Sequence, residues 1–351
     1  MKSKIYIVVL FTASFIILAF VSPEDPYFLI SKKDVRLTIP KGFPEPSYTF
    51  KNNKITPAGF VLGRKLFYDP ILSKDSTISC GSCHQQFAAF SHIDHGLAHG
   101  IGGRIGKRNV PALQNLIWNK EFMWDGGINH LEVQAIAPIT HKDEMDENLD
   151  HVILKLNQRN DYRIAFYKAF KDSTVTSEKM LKSLTQFMGL MISANSKYDK
   201  YILGKASFSE EEKKGLALFR NNCASCHKEP LFSDNTFKSN GIPVNTILND
   251  VGRKKITGIE SDQYKFKVPS LRNIELTFPY MHDGRFRNLT EVLNFYRDST
   301  KHSAYSDPLI HKLSKLSKED MKLIHAFLLT LTDKTFVYDR RFADPNFSRK
   351  Q

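Results

Sequence analysis

The chain has 351 residues, of which 41% are hydrophobic and 25% are charged, a composition typical of a globular protein of about two domains. Lys and Arg number 50 against 37 Asp and Glu, which gives a formal charge of +13. The basic residues are scattered and form no long block, so the charge does not indicate nucleic-acid binding. Four cysteines are too few for a small disulfide-stapled scaffold.

The amino terminus has the layout of an export signal. Lys2 and Lys4 precede an apolar run from Ile5 to Val21. A positive start followed by an apolar stretch is typical of a secretory signal, but the length of this run leaves an uncleaved membrane anchor open. We therefore predict that residues 1–22 are a signal peptide or an anchor and that the remainder is exported to the periplasm. Any contact with the membrane is expected only through this segment.

The rest of the chain predicts helices joined by long irregular loops. Residues 23–55 are rich in Pro, Lys and polar residues and predict a tether, and a helix is expected over Thr56–Tyr68. Apolar residues at helical spacing predict three further helices. The apolar positions of the first are Leu149, Val152 and Leu156; of the second, Leu181, Leu184, Met188 and Met191; and of the third, Met321, Ile324, Leu328 and Leu331. Ser209 with Glu212 matches a capping box, Ser317 is a candidate cap, and alternating strand patterns are nearly absent, so the fold class is all-α.

One unit of sequence occurs twice. The segment Gly63-x-x-Leu66-Phe67 precedes the first pair of cysteines, and Gly215-x-x-Leu218-Phe219 precedes the second. Tandem domains of one type are the simplest explanation of such an internal repeat. We place the boundary near Ala206, which gives one domain over residues 56–205 and a second over residues 206–351.

All four cysteines lie in two Cys-x-x-Cys-His motifs. These are Cys80-Gly-Ser-Cys83-His84 and Cys223-Ala-Ser-Cys226-His227. In c-type haem attachment, two thiols form thioethers to the vinyl groups and the following imidazole binds the iron. A zinc site and disulfides fit less well, because a His follows each pair directly and the two halves are far apart in the chain. We predict two covalently bound haem c groups, with His84 and His227 as proximal ligands.

Several further segments stand in a fixed order around these motifs. They are Arg108-Asn109, Phe122-Met-Trp124-Asp-Gly-Gly, Gln134, Glu144-Met145, Val268-Pro-Ser-Leu-Arg-Asn273 and Thr277-Phe-Pro279-Tyr-Met-His282-Asp-Gly284. In this order they resemble the bacterial di-haem cytochrome c peroxidase family, which includes the enzyme that matures tryptophan tryptophylquinone. The resemblance runs from Thr56 to beyond Tyr296. It implies two tandem cytochrome c-like domains, with the peroxidatic haem in the first and an electron-accepting haem in the second.

The resemblance also implies roles for three side chains near the first haem. Gln134 and Glu144 match residues on its distal side, where Glu144 would move a proton between the peroxide oxygens and Gln134 would orient the peroxide. A carboxyl in a partly apolar pocket has a raised pKa and suits this task. Trp124 matches the tryptophan that relays electrons between the haems, although burial in the domain contact would also explain it. Trp118 has no such match and is assigned to packing.

The sixth ligands of both haem irons are left open. At the first haem, His92, His95 and His99 are available, and His99-Gly100 best resembles the family's His-Gly pair, but some relatives keep this position vacant. At the second haem, Tyr296 stands where typical peroxidases have Met and where the quinone-maturing relative has Tyr. Met281 is the rival, and water, another His or no ligand are the remaining alternatives.

The resemblance finally implies a calcium ion and a reaction. Asn109, Thr277 and Pro279 match the family's calcium ligands, which suit a hard cation because they offer oxygen donors. The expected reaction is reduction of hydrogen peroxide to water with electrons from a small exported cytochrome c or a copper protein. Oxidation of protein side chains, which Tyr296 would favour, and non-enzymatic electron transfer are the alternatives. Gln134 and Glu144 argue against a simple carrier, and a homodimer is left open.

Overall fold

A computed structural model describes residues 30–298 and 303–346, and the predicted signal or anchor at residues 1–22 lies outside this part of the chain. The described residues are mostly helical. In chain order the helices and strands are α1 (Pro57–Tyr68), α2 (Cys80–Cys83), α3 (Ile136–Thr140), α4 (Leu149–Gln158), α5 (Asn160–Phe170), α6 (Ser177–Met188), α7 (Lys197–Ile202), α8 (Glu210–Asn222), β1 (Phe237–Lys238), α9 (Lys254–Thr257), β2 (Phe266–Lys267), α10 (Leu289–Arg297), α11 (Lys318–Leu329) and α12 (Lys334–Val337).

A two-stranded sheet and short 3₁₀ segments complete the fold. Strands β1 and β2 pair antiparallel, with Phe237 opposite Lys267 and Lys238 opposite Phe266. Single 3₁₀ turns fill many loops, among them Gln86–Ala88, Leu116–Trp118, Leu131–Val133 and Pro308–Lys315. Within residues 30–298 and 303–346, no helix is both long and apolar enough to cross a membrane.

The predicted helices are confirmed, and their ends follow from local capping. Thr56 caps α1 by accepting a hydrogen bond from the Gly59 amide, and Pro57 occupies the first turn, where its missing N–H costs nothing. Reciprocal capping boxes start two later helices, Ser209 with Glu212 at α8 and Ser317 with Asp320 at α11. These caps satisfy backbone N–H groups that a helix amino terminus leaves without partners.

The internal repeat corresponds to a repeated helix pair. Helix α1 packs on α6, and α8 packs on α11. A Cβ atom at Gly63 would lie 1.9 Å from the Ser183 carbonyl oxygen, and one at Gly215 would lie 2.0 Å from that of Leu323. Glycine is therefore required at both positions because the two helix backbones approach each other too closely for any side chain.

Two apolar cores follow from the two helix pairs. The first contains Leu66, Phe67 and Phe187, and the second contains Phe219, Phe232 and Phe327. The division at Ala206 stays a prediction, and the first core also takes in two segments that are distant in sequence. Val35 and Phe50 are buried in it, so the described part of the predicted tether packs against the first domain. Phe336, Val337 and Phe342 from the carboxy-terminal segment are buried in the same core.

A buried polar network joins the two halves. Asn273 is fully buried, and its side chain donates to the Ser193 hydroxyl at 3.0 Å and accepts from the Asp333 amide at 2.7 Å. Gln114 from the first half donates to the Arg272 carbonyl at 2.5 Å. These hydrogen bonds satisfy polar groups that would be costly to bury without partners, and they hold the two motif-bearing halves in one arrangement.

Candidate haem sites

The first motif forms a single helical turn that points its imidazole inward. Cys80 and Cys83 begin and end α2, and His84 follows as its carboxy-terminal cap. The Nδ1 atom of His84 lies 2.8 Å from the Phe90 carbonyl oxygen, and burial lowers the pKa of the imidazole to about 4. A neutral ring whose Nδ1–H is held by a carbonyl leaves Nε2 free, which is the arrangement that iron ligation requires.

An open cavity lies beside this turn. Both cysteines and His84 line it together with Gln134 and Glu144, and apolar side chains supply much of the remaining wall. The Gln134 Oε1 atom is buried and has no hydrogen-bond partner in the protein, so it is available to a bound group. Burial raises the pKa of Glu144. The predicted distal pair thus faces the space that a haem on the first motif would occupy.

The loop that carries His99 brings Glu144 to this cavity. A Cβ atom at Gly100 would lie 2.1 Å from the Asp143 carbonyl oxygen, and the Ile101 amide donates to the Glu144 carbonyl at 2.8 Å. Glycine at this position therefore allows the two loops to approach closely. His99 itself lines the cavity, and its ring lies 4.0 Å, between centroids, from the ring of His95.

The second motif follows directly from helix α8. Cys223 is the carboxy-terminal cap of that helix, and the Nδ1 atom of His227 lies 3.2 Å from the Phe232 carbonyl oxygen and 3.1 Å from that of Pro269. Burial lowers the pKa of His227. The ring is therefore held in the same way as His84, with Nε2 free for a metal.

Both predicted sixth ligands of the second haem lie close to one amide side chain. Burial raises the pKa of Tyr296 to about 12, the Asn240 amide opposes this shift by hydrogen bonding, and both Cys223 and Cys226 add to it by charge. The Asn240 Nδ2 atom also donates to the Met281 sulfur at 3.0 Å.

Trp124 links the two halves of the chain between the motifs. Its indole N–H donates to the Asn109 carbonyl at 2.8 Å, and its own carbonyl accepts from the Lys267 amide at 2.7 Å. The side chain lines a larger cavity that adjoins the first, because Gln134 belongs to the walls of both. Trp118 is buried against Phe43 in the first core, in keeping with a packing role.

An arginine fixes the turn that follows Trp124. The Arg108 guanidinium binds Asp125 at 2.6 Å and forms two hydrogen bonds to Asp250, at 2.6 and 2.8 Å. Asp125 and Asp250 come from different halves of the chain. Such planar, two-point pairing gives orientation as well as energy, so Arg108 holds the Trp124 turn against the second half.

The predicted calcium ligands Asn109, Thr277 and Pro279 line the same cavity as Trp124. The Asn109 side-chain nitrogen donates a hydrogen bond to the Pro279 carbonyl oxygen at 2.5 Å. Asn109 is buried, and its Oδ1 atom has no hydrogen-bond partner in the protein. This buried oxygen is the kind of donor that a hard cation accepts.

The structure adds one cation that sequence reasoning missed. Lys267 lines the larger cavity beside Trp124, and burial lowers the pKa of its ammonium group to about 8. Its Nζ atom donates to the Glu121 carbonyl at 3.1 Å. A lone Lys in an irregular segment carries no sequence signal for burial, so only the fold reveals this charge.

The four thiols are free and stand as two separate pairs. Within residues 30–298 and 303–346, no three His, Cys, Asp or Glu side chains converge as a metal-binding group. Two Cys-x-x-Cys-His turns, each with a buried and oriented imidazole, fit haem c in both places. The fold and these sites define a two-domain c-type cytochrome.

Comparison with known proteins gives the family. A family model for di-haem cytochrome c peroxidase matches residues 57–207, and one for cytochrome c matches residues 212–332. The methylamine utilization protein MauG of Methylorubrum extorquens is 33% identical over 305 residues, which cover 84% of this chain and 83% of that protein. Cytochrome c551 peroxidase of Nitrosomonas europaea is 33% identical over 279 residues, which cover 77% and 79%.

A solved structure agrees with these relatives. The crystal structure of a MauG-like protein associated with microbial copper homeostasis has a TM-score of 0.80 and 31% sequence identity, and the match covers 88% of this chain and 99% of that chain. The chain therefore belongs to the di-haem cytochrome c peroxidase family and carries haem c.

Proposed function

We propose that the protein reduces hydrogen peroxide to water at the first haem site, with electrons from a small exported cytochrome c or a copper protein. The observation that carries this proposal is the convergence of Gln134 and Glu144 with His84 in one cavity. A carrier of electrons needs no acid–base pair there, whereas cleavage of an O–O bond does. The net charge of +13 suits a donor with an acidic face.

The protein's own residues divide the work in this proposal. Haem, when bound, supplies the redox centre that delivers electrons to the peroxide. The Gln134 side chain orients the peroxide by hydrogen bonding, since its Oε1 atom has no other partner. Glu144 accepts a proton from one peroxide oxygen and returns it to the other, so that the departing oxygen leaves as water. Burial raises the pKa of Glu144, so its carboxylate is a stronger base and can both accept and return the proton.

Electrons reach the first site from the second in the proposed scheme. Peroxide takes up two electrons, and a small donor delivers one at a time, so one equivalent must be stored and moved. Trp124 lines the cavity between the motifs and is fixed to both halves by hydrogen bonds. An indole in this place can relay the electron, and Tyr296 is the proposed sixth ligand of the second haem.

Steady-state consumption of peroxide by the haem-loaded protein tests the proposal. With a reduced cytochrome c as donor, we expect turnover, and we expect Glu144→Gln to lower kcat by about 10²–10⁴-fold because the proton transfer is lost. Glu132→Gln is the matched control, since Glu132 accepts from Tyr48 outside this cavity. Full turnover in Glu144→Gln contradicts the role of this carboxyl. Turnover only after prior reduction of the second haem indicates a gated enzyme.

Oxidation of protein side chains is the second candidate function. The observation that favours it is Tyr296 at the position where typical peroxidases have Met, because a phenolate ligand favours the ferric and higher states and makes the second haem harder to reduce. Under this alternative, peroxide would modify a protein substrate without a reduced donor. Incubation with peroxide and candidate proteins, followed by mass spectrometry, distinguishes it from donor-dependent turnover.

His99 is the proposed distal ligand of the first haem. It lines the same cavity as the motif that supplies His84. Ligation predicts a low-spin first haem in the oxidised protein that becomes high-spin in His99→Ala. A high-spin first haem in the unaltered oxidised protein contradicts it and assigns an open position.

A calcium ion at Asn109, Thr277 and Pro279 is the further cofactor that we propose. Its support is the buried Asn109 Oδ1 atom, which has no hydrogen-bond partner in the protein, in a cavity wall that Thr277 and Pro279 share. Export to the periplasm is proposed from residues 1–22 together with the covalent haem chemistry, and sequencing of the mature amino terminus distinguishes cleavage from anchoring. A homodimer is a matter for solution mass measurement.

A further inference from the structure

The larger cavity beside Trp124 has one charged side chain in its wall. This side chain is Lys267, and among the described residues no Asp, Glu, Arg or His lines the cavity with it. Lys267 is partly buried. The cavity therefore carries a positive charge that the rest of its described wall does not neutralise.

The backbone and the ammonium group of Lys267 are both held in place. The residue lies in strand β2 opposite Phe237, and its backbone N–H donates to the Trp124 carbonyl at 2.7 Å. The ammonium nitrogen donates to the Glu121 carbonyl at 3.1 Å and lies 6.0 Å from the centroid of the Phe122 ring. A lysine ammonium has three N–H donors, so two of them remain after the bond to Glu121.

The ammonium group of Lys267 lacks a counter-charge. The Glu121 carboxylate pairs with the Arg253 guanidinium at 2.6 Å, and Lys267 forms no ion pair within residues 30–298 and 303–346. A charge that is withdrawn from water is costly unless an opposite charge neutralises it. Burial accordingly lowers the pKa of Lys267 to about 8. The calcium ion proposed at Asn109, in the same wall, would add positive charge and not cancel it.

The larger cavity continues into the first haem site. Leu113 and Gln134 line it and also line the cavity that contains the first motif and Glu144. No residue of the second Cys-x-x-Cys-His motif, all of which the structure describes, lines either cavity. Haem has two propionate carboxylates, on the edge of the macrocycle away from the thioether bonds. The first haem therefore brings the anionic groups that the larger cavity lacks.

We propose that the Lys267 ammonium group forms an ion pair with a propionate of the first haem. A residue that follows the second motif in the chain then binds the cofactor of the first. Because the backbone N–H of the same residue donates to the Trp124 carbonyl, Lys267 connects the haem edge to the Trp124 turn. The inference depends on haem attachment and goes beyond the proposed reaction, since it involves no step with peroxide.

Resonance Raman spectroscopy and a redox titration of the haem-loaded protein test the ion pair. In Lys267→Gln we expect the propionate bending band to shift, because the carboxylate loses its partner. We also expect the reduction potential of the first haem to fall, because a nearby positive charge favours the ferrous state over the more positive ferric state. Lys267→Arg keeps the charge and should keep the potential closer to that of the unaltered protein.

Lys265→Gln is the matched control for the loss of a positive charge. Lys265 lies two residues from Lys267, pairs with Asp262 at 3.2 Å and does not line the cavity. Its replacement should leave the propionate band unchanged and should lower the potential of the first haem less than Lys267→Gln does.

The outcomes separate this inference from the proposed function. An unshifted propionate band in Lys267→Gln overturns the ion pair even if the potential falls, because a more distant charge acts on the potential alone. A fall confined to the potential of the second haem overturns the assignment to the first. Peroxide turnover is measured separately, so its absence in a protein that keeps the ion pair counts against the enzyme function alone.

A crystal structure of the unaltered haem-loaded protein provides the test if Lys267→Gln fails to fold. We expect the Lys267 Nζ atom within hydrogen-bonding distance of a propionate oxygen of the first haem. An Nζ atom that contacts no propionate overturns the proposal.

Discussion

Asp199 and Arg272 form a buried ion pair that supports the second motif. The guanidinium, with no exposed side-chain surface, forms hydrogen bonds of 2.8 and 2.9 Å to the carboxylate and donates to the Pro230 carbonyl at 2.8 Å. It also lies over the ring of Phe232, whose carbonyl holds His227. The pair therefore anchors the loop that orients the proximal imidazole.

Removing one partner of this pair should be costly. Asp199→Asn leaves a buried guanidinium without its counter-charge, and we expect a loss of about 3–5 kcal/mol in the free energy of unfolding. Glu319→Gln is the control, because the Lys322–Glu319 pair is exposed at both side chains and should contribute less than about 1 kcal/mol. Denaturant unfolding of the haem-loaded protein measures both, and equal losses would contradict the anchoring role.

The same pair gives a pH dependence with a definite sign. Burial raises the pKa of Asp199, but the hydrogen bonds and charge of Arg272 outweigh it, so the pKa is lower than in the unfolded chain. The pair therefore stabilises the fold at neutral pH, and its contribution is lost as the pH falls through the folded-state pKa. In Asp199→Asn the acid-induced loss of stability should be smaller, whereas an unchanged acid limb would contradict this assignment.

Functional residues that belong to a motif with fixed spacing could be predicted from the sequence. Cys80, Cys83 and His84 are adjacent in the chain, so their chemistry can be read directly. Asn240 and Lys267 could not be found in this way, because their importance depends on contacts with residues distant in sequence. Burial of Lys267 and the contact of Asn240 with the Met281 sulfur exist only in the folded chain.

Glycines at the two helix crossings provide the test at the scale of elements. Gly215→Ala would place a methyl group against the Leu323 carbonyl, so α8 and α11 must separate. Overpacking of this kind costs about 1–3 kcal/mol, and a rigid backbone contact belongs at the upper end or beyond. We expect Gly63→Ala to act in the same way on α1 and α6. Thermal unfolding measures both glycine variants, with Lys214→Ala, at an exposed position, as the control. Equal melting temperatures in all three variants would contradict the close helix contact.

The apolar pattern of the sequence predicts some of the helices but not all of them. Those with clear periodicity and caps, such as α1, α8 and α11, could be predicted. Helix α5 was missed because Ile164 and Tyr167 are exposed and blur its apolar stripe. Helix α10 carried a readable signal, since Asn288 caps it by accepting from the Glu291 amide.

The contact between the two halves is the feature of the whole molecule on which coupling depends. Asn109 follows Arg108 in the chain. Its backbone carbonyl accepts a hydrogen bond from the Trp124 indole, and its backbone N–H donates to the His282 carbonyl at 2.7 Å. A cation at the Asn109 Oδ1 atom would therefore stiffen the contact that positions Trp124. Residue types alone could not reveal this arrangement, because the proposed calcium ligands are ordinary loop residues.

Removal of calcium should therefore act on coupling between the haems. Chelation is expected to slow electron transfer between them and to lower the melting temperature, and Ca²⁺ should restore both better than Mg²⁺, which binds reluctantly to carbonyl-rich sites. In Asn109→Leu the chelator should have little further effect. Elemental analysis that finds no calcium, together with insensitivity to chelators, would contradict the site.

In the proposed enzyme, Trp124 couples the two haem sites. Rapid mixing of the haem-loaded protein, with its second haem reduced, against one equivalent of peroxide tests this coupling. We predict that the second haem is oxidised after the first site reacts, and that Trp124→Phe slows this oxidation while both haems stay attached. Oxidation of the second haem at the same rate in both proteins, or no oxidation in the unaltered protein, would contradict the account.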